Sequence, residues 1–372
     1  MASQGATLVG AGAAGAAIAV GIVAAAGALG GTTTTVREVV EETMPDTAAF
    51  ARAGGPLSVH EVYMRSAPGV VQVTAAGTGH APGSGFVIDK AGHIVTSFSV
   101  VDGAGRVEVS FSNDERLPAR IVGRDPSTDL ALLQVKARSR ALTPLELGDS
   151  DSVQVGDSVV AIGNPLGEDR SVTAGIVSAF QRSVAGPNGV PIDHVIQTDA
   201  GLNRGNAGGP LLDGRGRVIG VSTELQSTTG ADGYAIPVNT VKDVAAQLIA
   251  SGVVEHAFAG LDARAISAQV ATLYRLPVRH GLLVAGVCSG DGAAKAGVRG
   301  ATRHVTLAGV TWPLGGDIIV RIDGVPVASV SRLREIVGAK RPGDSVELAL
   351  VRGDKNMDVR VKLGRQPVSP GC

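Results

Sequence analysis

Between residues 70 and 250 the chain repeats one pattern: a short apolar run, a turn, and another short apolar run. Gly69-Val70-Val71-Gln72-Val73, Gly85-Phe86-Val87-Ile88, His93-Ile94-Val95-Thr96, Val107-Glu108-Val109 and Ala131-Leu132-Leu133-Gln134-Val135 are such runs, and Asp102-Gly103, Gly148-Asp149 and Asp213-Gly214 are turns between them. β-Branched residues at this spacing, with no long helix between, predict an antiparallel sandwich or barrel. The helical spacing of Val241 to Ile249 closes this unit, and the capping-box spacing of Ser58 and Glu61 predicts a short helix ahead of it. A second unit covers residues 257–364. It holds a strand at Leu282-Leu283-Val284-Ala285, another at Asp317 to Ile322, a helix from near Ser329 to Ala339, and two terminal strands ending near Val351 and Val361. Residues 300–316, which carry Trp312, separate an Ala-rich helix at 292–297 from the strand at Asp317 to Ile322.

The N-terminus has a different pattern. Residues 6–31 carry no charge and are long enough to cross a bilayer as a helix. A membrane anchor is the first reading, a cleaved signal peptide ending near Ala26-Gly27-Ala28 the second, and a disordered apolar tail the third. Residues 32–57, Thr-rich and then acidic, read as a flexible linker, residues 58–250 as the first folded domain, and 365–372 as a tail.

Composition narrows the chemistry. With 372 residues and a formal net charge of -1, the chain has room for two or three compact units and shows no basic stripe, so nucleic acid is not expected as a partner. The two cysteines do not make a disulfide framework: Cys288 reads as a buried thiol and Cys372 as a solvated chain end. No clustered His/Cys spacing, phosphate loop or dinucleotide fingerprint is present, so neither a metal nor a cofactor is expected.

The decisive stretch is Gln197-Thr198-Asp199-Ala200-Gly201-Leu202-Asn203-Arg204-Gly205-Asn206-Ala207-Gly208-Gly209-Pro210. It resembles the nucleophile loop of the HtrA/Deg family of trypsin-like serine proteases. Gly83-Ser84-Gly85-Phe86 with His93-Ile94-Val95-Thr96-Ser97-Phe98-Ser99 resembles the family's histidine segment, and Asp125-Pro126-Ser127-Thr128-Asp129 its aspartate segment. The resemblance implies a mainly β protein, a two-barrel trypsin-like domain followed by a PDZ domain. The triad-equivalent positions it assigns are Ser99, Asp129 and Ala207, with Gly205, Asn206 and Ala207 as the oxyanion-loop backbone. A methyl cannot attack a carbonyl, and a serine is a poor base near neutral pH. The expectation is therefore a catalytically degenerate member, not an enzyme, with Asp129 left in a structural role. His80, His93 and His194 read as ordinary polar residues.

In the second unit, His280-Gly281-Leu282-Leu283-Val284 resembles the loop and strand that receive a peptide C-terminus in such PDZ domains. Gly281, Leu282, Leu283 and Val284 would bind the peptide, with Leu333 and Val337 on the opposite helix serving as groove or core. The implied function is capture of peptides or unfolded polypeptide C-termini outside the cytoplasm, in envelope quality control or regulation of an active protease. The alternative is a serine-type endopeptidase, as the family at large implies. Expected partners are polypeptide C-termini, the membrane through the N-terminal helix, and homo- or hetero-trimers with related chains. The expected location is the cell membrane, single-pass with the domains outside, or a secreted form after signal cleavage.

Overall fold

The computed structural model describes residues 56–77, 79, 81–111, 115–136, 142–164, 170–224, 233–307 and 309–367. All of them belong to one compact unit, Phe50–Cys372. The apolar segment at 6–31 lies outside the described residues, as do most of the linker and the end of the tail. Among the described residues no helix is long and apolar enough to cross a membrane.

Helix α1 (Val59–Ser66) starts where the capping box predicts, with the Ser58 side chain accepting from Glu61 N–H and the Glu61 carboxylate accepting from Ser58 N–H. Strands β1 (Val70–Ala76), β2 (Gly83–Val87), β3 (His93–Ser97), β4 (Arg106–Ser110), β5 (Arg116–Asp125) and β6 (Leu130–Val135) close a first barrel, and the short helix α2 (Phe98–Val101) follows β3. A second closed barrel is built from β7 (Ser158–Gly163), β8 (Ser171–Ala185), β9 (Pro191–Thr198), β10 (Pro210–Asp213), β11 (Val218–Thr223) and β12 (Gly233–Pro237). Period-two alternation explains how they pack. On β6, Ala131 and Leu133 point into the first barrel, while Leu130 and Leu132 join Phe86, Ile162, Leu212 and Ile236 in a core between the barrels. Helix α3 (Val238–Ser251) buries Val241, Val244, Ala245 and Leu248 on that shared core. It ends at Gly252, whose φ of 76° lets its N–H return to Leu248 O.

The C-terminal domain is one sheet with a layer on each face. Its elements are β13 (Ala257–Phe258), β14 (Leu261–Ile266), α4 (Ala268–Tyr274), β15 (Gly281–Val287), α5 (Gly292–Lys295), β16 (Arg303–Leu307), β17 (Val310–Leu314), β18 (Ile318–Ile322), β19 (Val325–Pro326), α6 (Val330–Gly338), β20 (Ser345–Arg352), β21 (Lys355–Lys362) and β22 (Gly364–Arg365). The main sheet runs β14-β15-β18-β20-β21. One face packs Ala263, Leu282, Val284 and Ile319 against Leu333 and Val337 of α6 and Ala293 of α5. The other packs Ile266, Leu283, Ile318 and Val351 against Ala271 of α4 and Leu314 of the β16–β17 hairpin. The fold is mainly β, a trypsin-like double barrel followed by a PDZ domain.

Polar contacts join this domain to the barrels, among them Gln366 Nε2 donating to Ser127 Oγ at 2.9 Å. Arg334 of α6 reaches Asp193 of β9, with Nη2 2.8 Å from Oδ1. His256 Nε2 lies 2.9 Å from both oxygens of buried Asp125. Cys288 departs from the sequence reading. It is disulfide-bonded, not a thiol, and among the described residues no cysteine is free.

Candidate functional site

Three segments bring Ser99, Asp129 and Ala207 to the junction of the two barrels. Asp129 sits in the β5–β6 turn with φ 54°, fully buried. Its Oδ1 accepts Ser99 N–H at 2.9 Å, and its Oδ2 accepts Thr223 Oγ1 at 2.7 Å and Ser99 Oγ at 3.4 Å. Burial raises the Asp129 carboxyl above its ordinary value, against the opposing hydrogen bonds from Thr223 and Ser99 and with a smaller contribution from the Glu224 charge. The carboxylate thus braces the start of α2 and the end of β11.

Ala207 is fully buried, its methyl packed with the first-barrel core. The loop before it is closed on Asn203. The Asn203 carbonyl accepts Asn206 N–H at 3.2 Å and Ala207 N–H at 3.1 Å, while its side-chain oxygen accepts Gly205 N–H at 2.9 Å. Asn206 Oδ1 returns the favour to Asn203 N–H at 2.8 Å. The N–H groups of Gly205, Asn206 and Ala207 therefore do not converge on an external acceptor, as the oxyanion-loop reading expected, because Asn203 already satisfies them. Ser84 pins this loop from the first barrel: its N–H donates to Ala207 O at 2.8 Å and its hydroxyl to Gly205 O at 2.7 Å. Gly208 is required here, since at φ 82° a Cβ would lie 2.3 Å from Ser84 O.

On the PDZ domain, the strand that the sequence reading assigned to peptide binding is not the edge of its sheet. Strand β15, with Gly281, Leu282, Leu283 and Val284, is paired on both sides: Leu282 faces Ala265 of β14 and Ile319 of β18, and Leu283 faces Arg264 and Ile318. Its backbone has no edge left to offer a peptide. The open edge belongs to β14, the first strand of the sheet. The turn before it, Ala259-Gly260, has N–H groups with no acceptor among the described residues, while its carbonyls accept Ala293 N–H and Cys288 N–H, both at 2.9 Å. Gly260 has φ 75°, and a Cβ there would lie 2.2 Å from the Asp291 Cβ. Between β14, α6 and the β8–β9 turn runs a cavity of about 920 Å³, lined by Phe258, Leu261, Ala263, Leu333, Val337 and Ile192 among others. Leu333 and Val337 are both wall and core: each is over nine-tenths buried yet borders the cavity. An open strand edge, unmatched donors at its start and an apolar wall opposite can accept an added strand.

The histidines singled out in the sequence fall elsewhere. His93 is held by Asp89 at the start of β3, His194 lines the cavity from β9, and His80 lies outside the described residues. No group of metal-ligating side chains is found among the described residues.

Comparison with known proteins fits this architecture. Residues 83–221 match the model of a trypsin-like peptidase domain, and residues 218–363 that of a PDZ domain. A probable periplasmic serine endoprotease, DegP-like, from Pseudomonas fulva is 36% identical over 327 residues, covering 86% of this chain and 64% of that protein. The periplasmic pH-dependent serine endoprotease DegQ of Escherichia coli is 36% identical, covering 76% of this chain and 59% of its own length. The chain thus spans less than two thirds of either relative. A solved structure of the HtrA-type protease AlgW with a tripeptide superposes with a TM-score of 0.71 at 31% identity, covering 83% of this chain and 98% of that one. These relatives correct the expectation that the chain is not an enzyme: the curated proteins it matches are named serine endoproteases.

Proposed function

The chain belongs to the HtrA/DegP family of trypsin-like serine proteases with a PDZ domain, and from that premise we propose that it captures polypeptide C-termini in the groove between β14 and α6. The single observation behind this reading is the conjunction at that groove: an open strand edge, unmatched N–H groups at Ala259 and Gly260, and the apolar wall of Leu333 and Val337. A terminal carboxylate meets the N–H groups, the peptide backbone extends the sheet, and an apolar terminal side chain enters between Leu261 and Val337. The related AlgW has been solved with a tripeptide, which supports polypeptide as the ligand class.

Hydrolysis is the activity for which the relatives are named. In this chain Ala207 offers a methyl where the family motif has a hydroxyl, and Ser99 a hydroxyl where the motif has an imidazole. Capture in the groove calls on neither of those two side chains. The proposed setting is extracytoplasmic, held to a membrane by residues 6–31. Relatives named periplasmic support the setting, and so does the disulfide at Cys288, a bond that persists in oxidising compartments.

Titration calorimetry with a decapeptide ending in an aliphatic residue, free and C-terminally amidated, tests the capture. Saturable binding of the free acid with loss on amidation is expected. Equal binding of the two forms sinks the reading.

A further inference from the structure

The β16–β17 hairpin has no part in the site described so far. It packs on the face of the sheet opposite α6, where Leu314 and Val305 meet Ile266, Leu283 and Ile318. From there it grips one side chain of the open edge strand. Arg264 of β14 donates from Nη1 to Thr311 O at 2.7 Å, and its guanidinium carbon lies 5.5 Å from the centre of the Trp312 ring. Trp312 is itself backed by Tyr274, with ring centres 6.3 Å apart. Arg264 remains exposed, and among the described residues Thr311 O is the only hydrogen-bond acceptor of its guanidinium. Guanidinium has five N–H donors, so most of its fork is available to a ligand. Stacking on Trp312 fixes that fork in place, which lowers the entropy lost when an acceptor binds.

Register says which ligand residue meets it. Side chains along β14 alternate: Ala263 faces α6, and Arg264 and Ile266 face the hairpin. A peptide whose carboxylate rests on Ala259 and Gly260 places its last residue opposite Leu261 and its third-last opposite Ala263. Its fourth-last residue then stands opposite Arg264, with the side chain on the hairpin face, as directly opposed residues point the same way. The second-last residue stands opposite Asp262, an exposed carboxylate.

We propose that Arg264, held by Trp312 and Thr311, is a specificity determinant of this groove that selects C-terminal peptides with a carboxylate side chain at the fourth residue from the end. The inference rests on the capture reading above. Asp262 adds a second, opposing preference: an acidic second-last residue is disfavoured. Cross-strand charge pairs are weak and charge-assisted hydrogen bonds somewhat stronger, so the discrimination is a modest one.

Fluorescence anisotropy on the full chain tests it, using decapeptides that end in an aliphatic residue and differ only in having Glu, Gln or Lys fourth from the end. The Glu peptide is expected to bind about fivefold more tightly than Gln, with Lys weakest, and the spread should close in 1 M salt, where the Debye length falls to about 3 Å. Arg264→Gln should bring the Glu peptide down to the affinity of the Gln peptide, and Trp312→Ala should narrow the gap by about half. In both variants continued rejection of an amidated peptide reports an intact groove. Equal binding of the three free-acid peptides, with amidation still abolishing binding, overturns the role of Arg264 and leaves capture standing. If no free-acid peptide binds, both ideas fall.

Discussion

The barrel junction and the PDZ groove descend from the same kind of raw material, a glycine-rich turn beside a strand, and they end in opposite states. Around Ala207 the donors are matched from within: Asn203 takes the N–H groups of Gly205, Asn206 and Ala207, and Asp129 takes the Ser99 N–H and the Thr223 hydroxyl. At Ala259-Gly260 the donors have no acceptor among the described residues, and they open onto a cavity. A turn that satisfies itself needs no outside acceptor, whereas one that leaves donors facing a cavity has hydrogen bonds still to make.

The largest effect expected from breaking this contrast is chemical. Ser99→His combined with Ala207→Ser should raise hydrolysis of a fluorogenic peptide by about 10⁴-fold or more over the unaltered chain, the scale on which a serine and its histidine act together. Ala207→Ser alone should recover only a small part of that. A double variant no faster than the starting chain would mean that the Asn203-closed loop, not the two side chains, limits turnover.

Next in size, Leu283→Ala and Leu333→Glu separate interior from groove. Leu283 is 1% exposed between two paired neighbours, so its truncation should cost about 2–5 kcal/mol of stability, read in denaturant melts. Leu333→Glu buries a charge at a residue that is both groove wall and core, so it should weaken peptide binding at least about tenfold and lower stability as well. The reverse assignment, with Leu283→Ala folding normally and losing only peptide, would restore β15 as the receiving strand.

A smaller effect tests Asp129 by pH. Its folded-state proton affinity is raised by burial, so the native state holds the proton more tightly than the unfolded chain. Stability should then decline as pH rises from the unfolded carboxyl value near 3.9 through the raised folded one. Asp129→Asn keeps an acceptor for Ser99 N–H and suits φ 54°. It should raise Tm at pH 7 by about 2–4 °C for each kcal/mol regained, and the gain should vanish below pH 4. A loss at pH 7 would show that the carboxylate is held by its partners more strongly than burial opposes it.

Smallest of all is the interdomain contact. Burial works to lift the Asp193 carboxyl, but hydrogen bonds from Arg334 and Ser183, the Arg334 charge and Ser331 together hold it below its ordinary value. Its contribution is therefore present above the unfolded value near 3.9 and is lost as pH falls through the lower folded one. Arg334→Ala should loosen the PDZ domain on the barrels, seen as faster amide exchange at the β8–β9 turn near neutral pH and no difference from the unaltered chain in strong acid.

The two sites were not equally legible in the sequence. Positions 99, 129 and 207 could be found because each sits in a contiguous motif whose glycines and spacing have few other uses. The way Asn203 closes the loop could not, since the hydrogen-bond choice of a turn is set by its conformation. The edge strand was not recognised because Gly281-Leu282-Leu283-Val284 and Gly260-Leu261 look alike at the level of glycine followed by apolar residues. A signal was nevertheless there. Residues 281–287 are apolar without a break, the composition of a strand covered on both faces. Leu261-Asp262-Ala263-Arg264-Ala265-Ile266 alternates charge with apolar residues, as an exposed edge strand does. The place of Trp312 was settled only by the hairpin folding over Arg264, a contact between residues 48 apart in the chain.

Amide hydrogen exchange of the whole chain, with and without a saturating free-acid decapeptide, tests the contrast between the two regions most directly. The account predicts that the peptide slows exchange at residues 259–265 and leaves residues 281–284 and 203–207 unchanged. Protection that falls on 281–284, or on the Asn203 loop with none at 259–265, would contradict it.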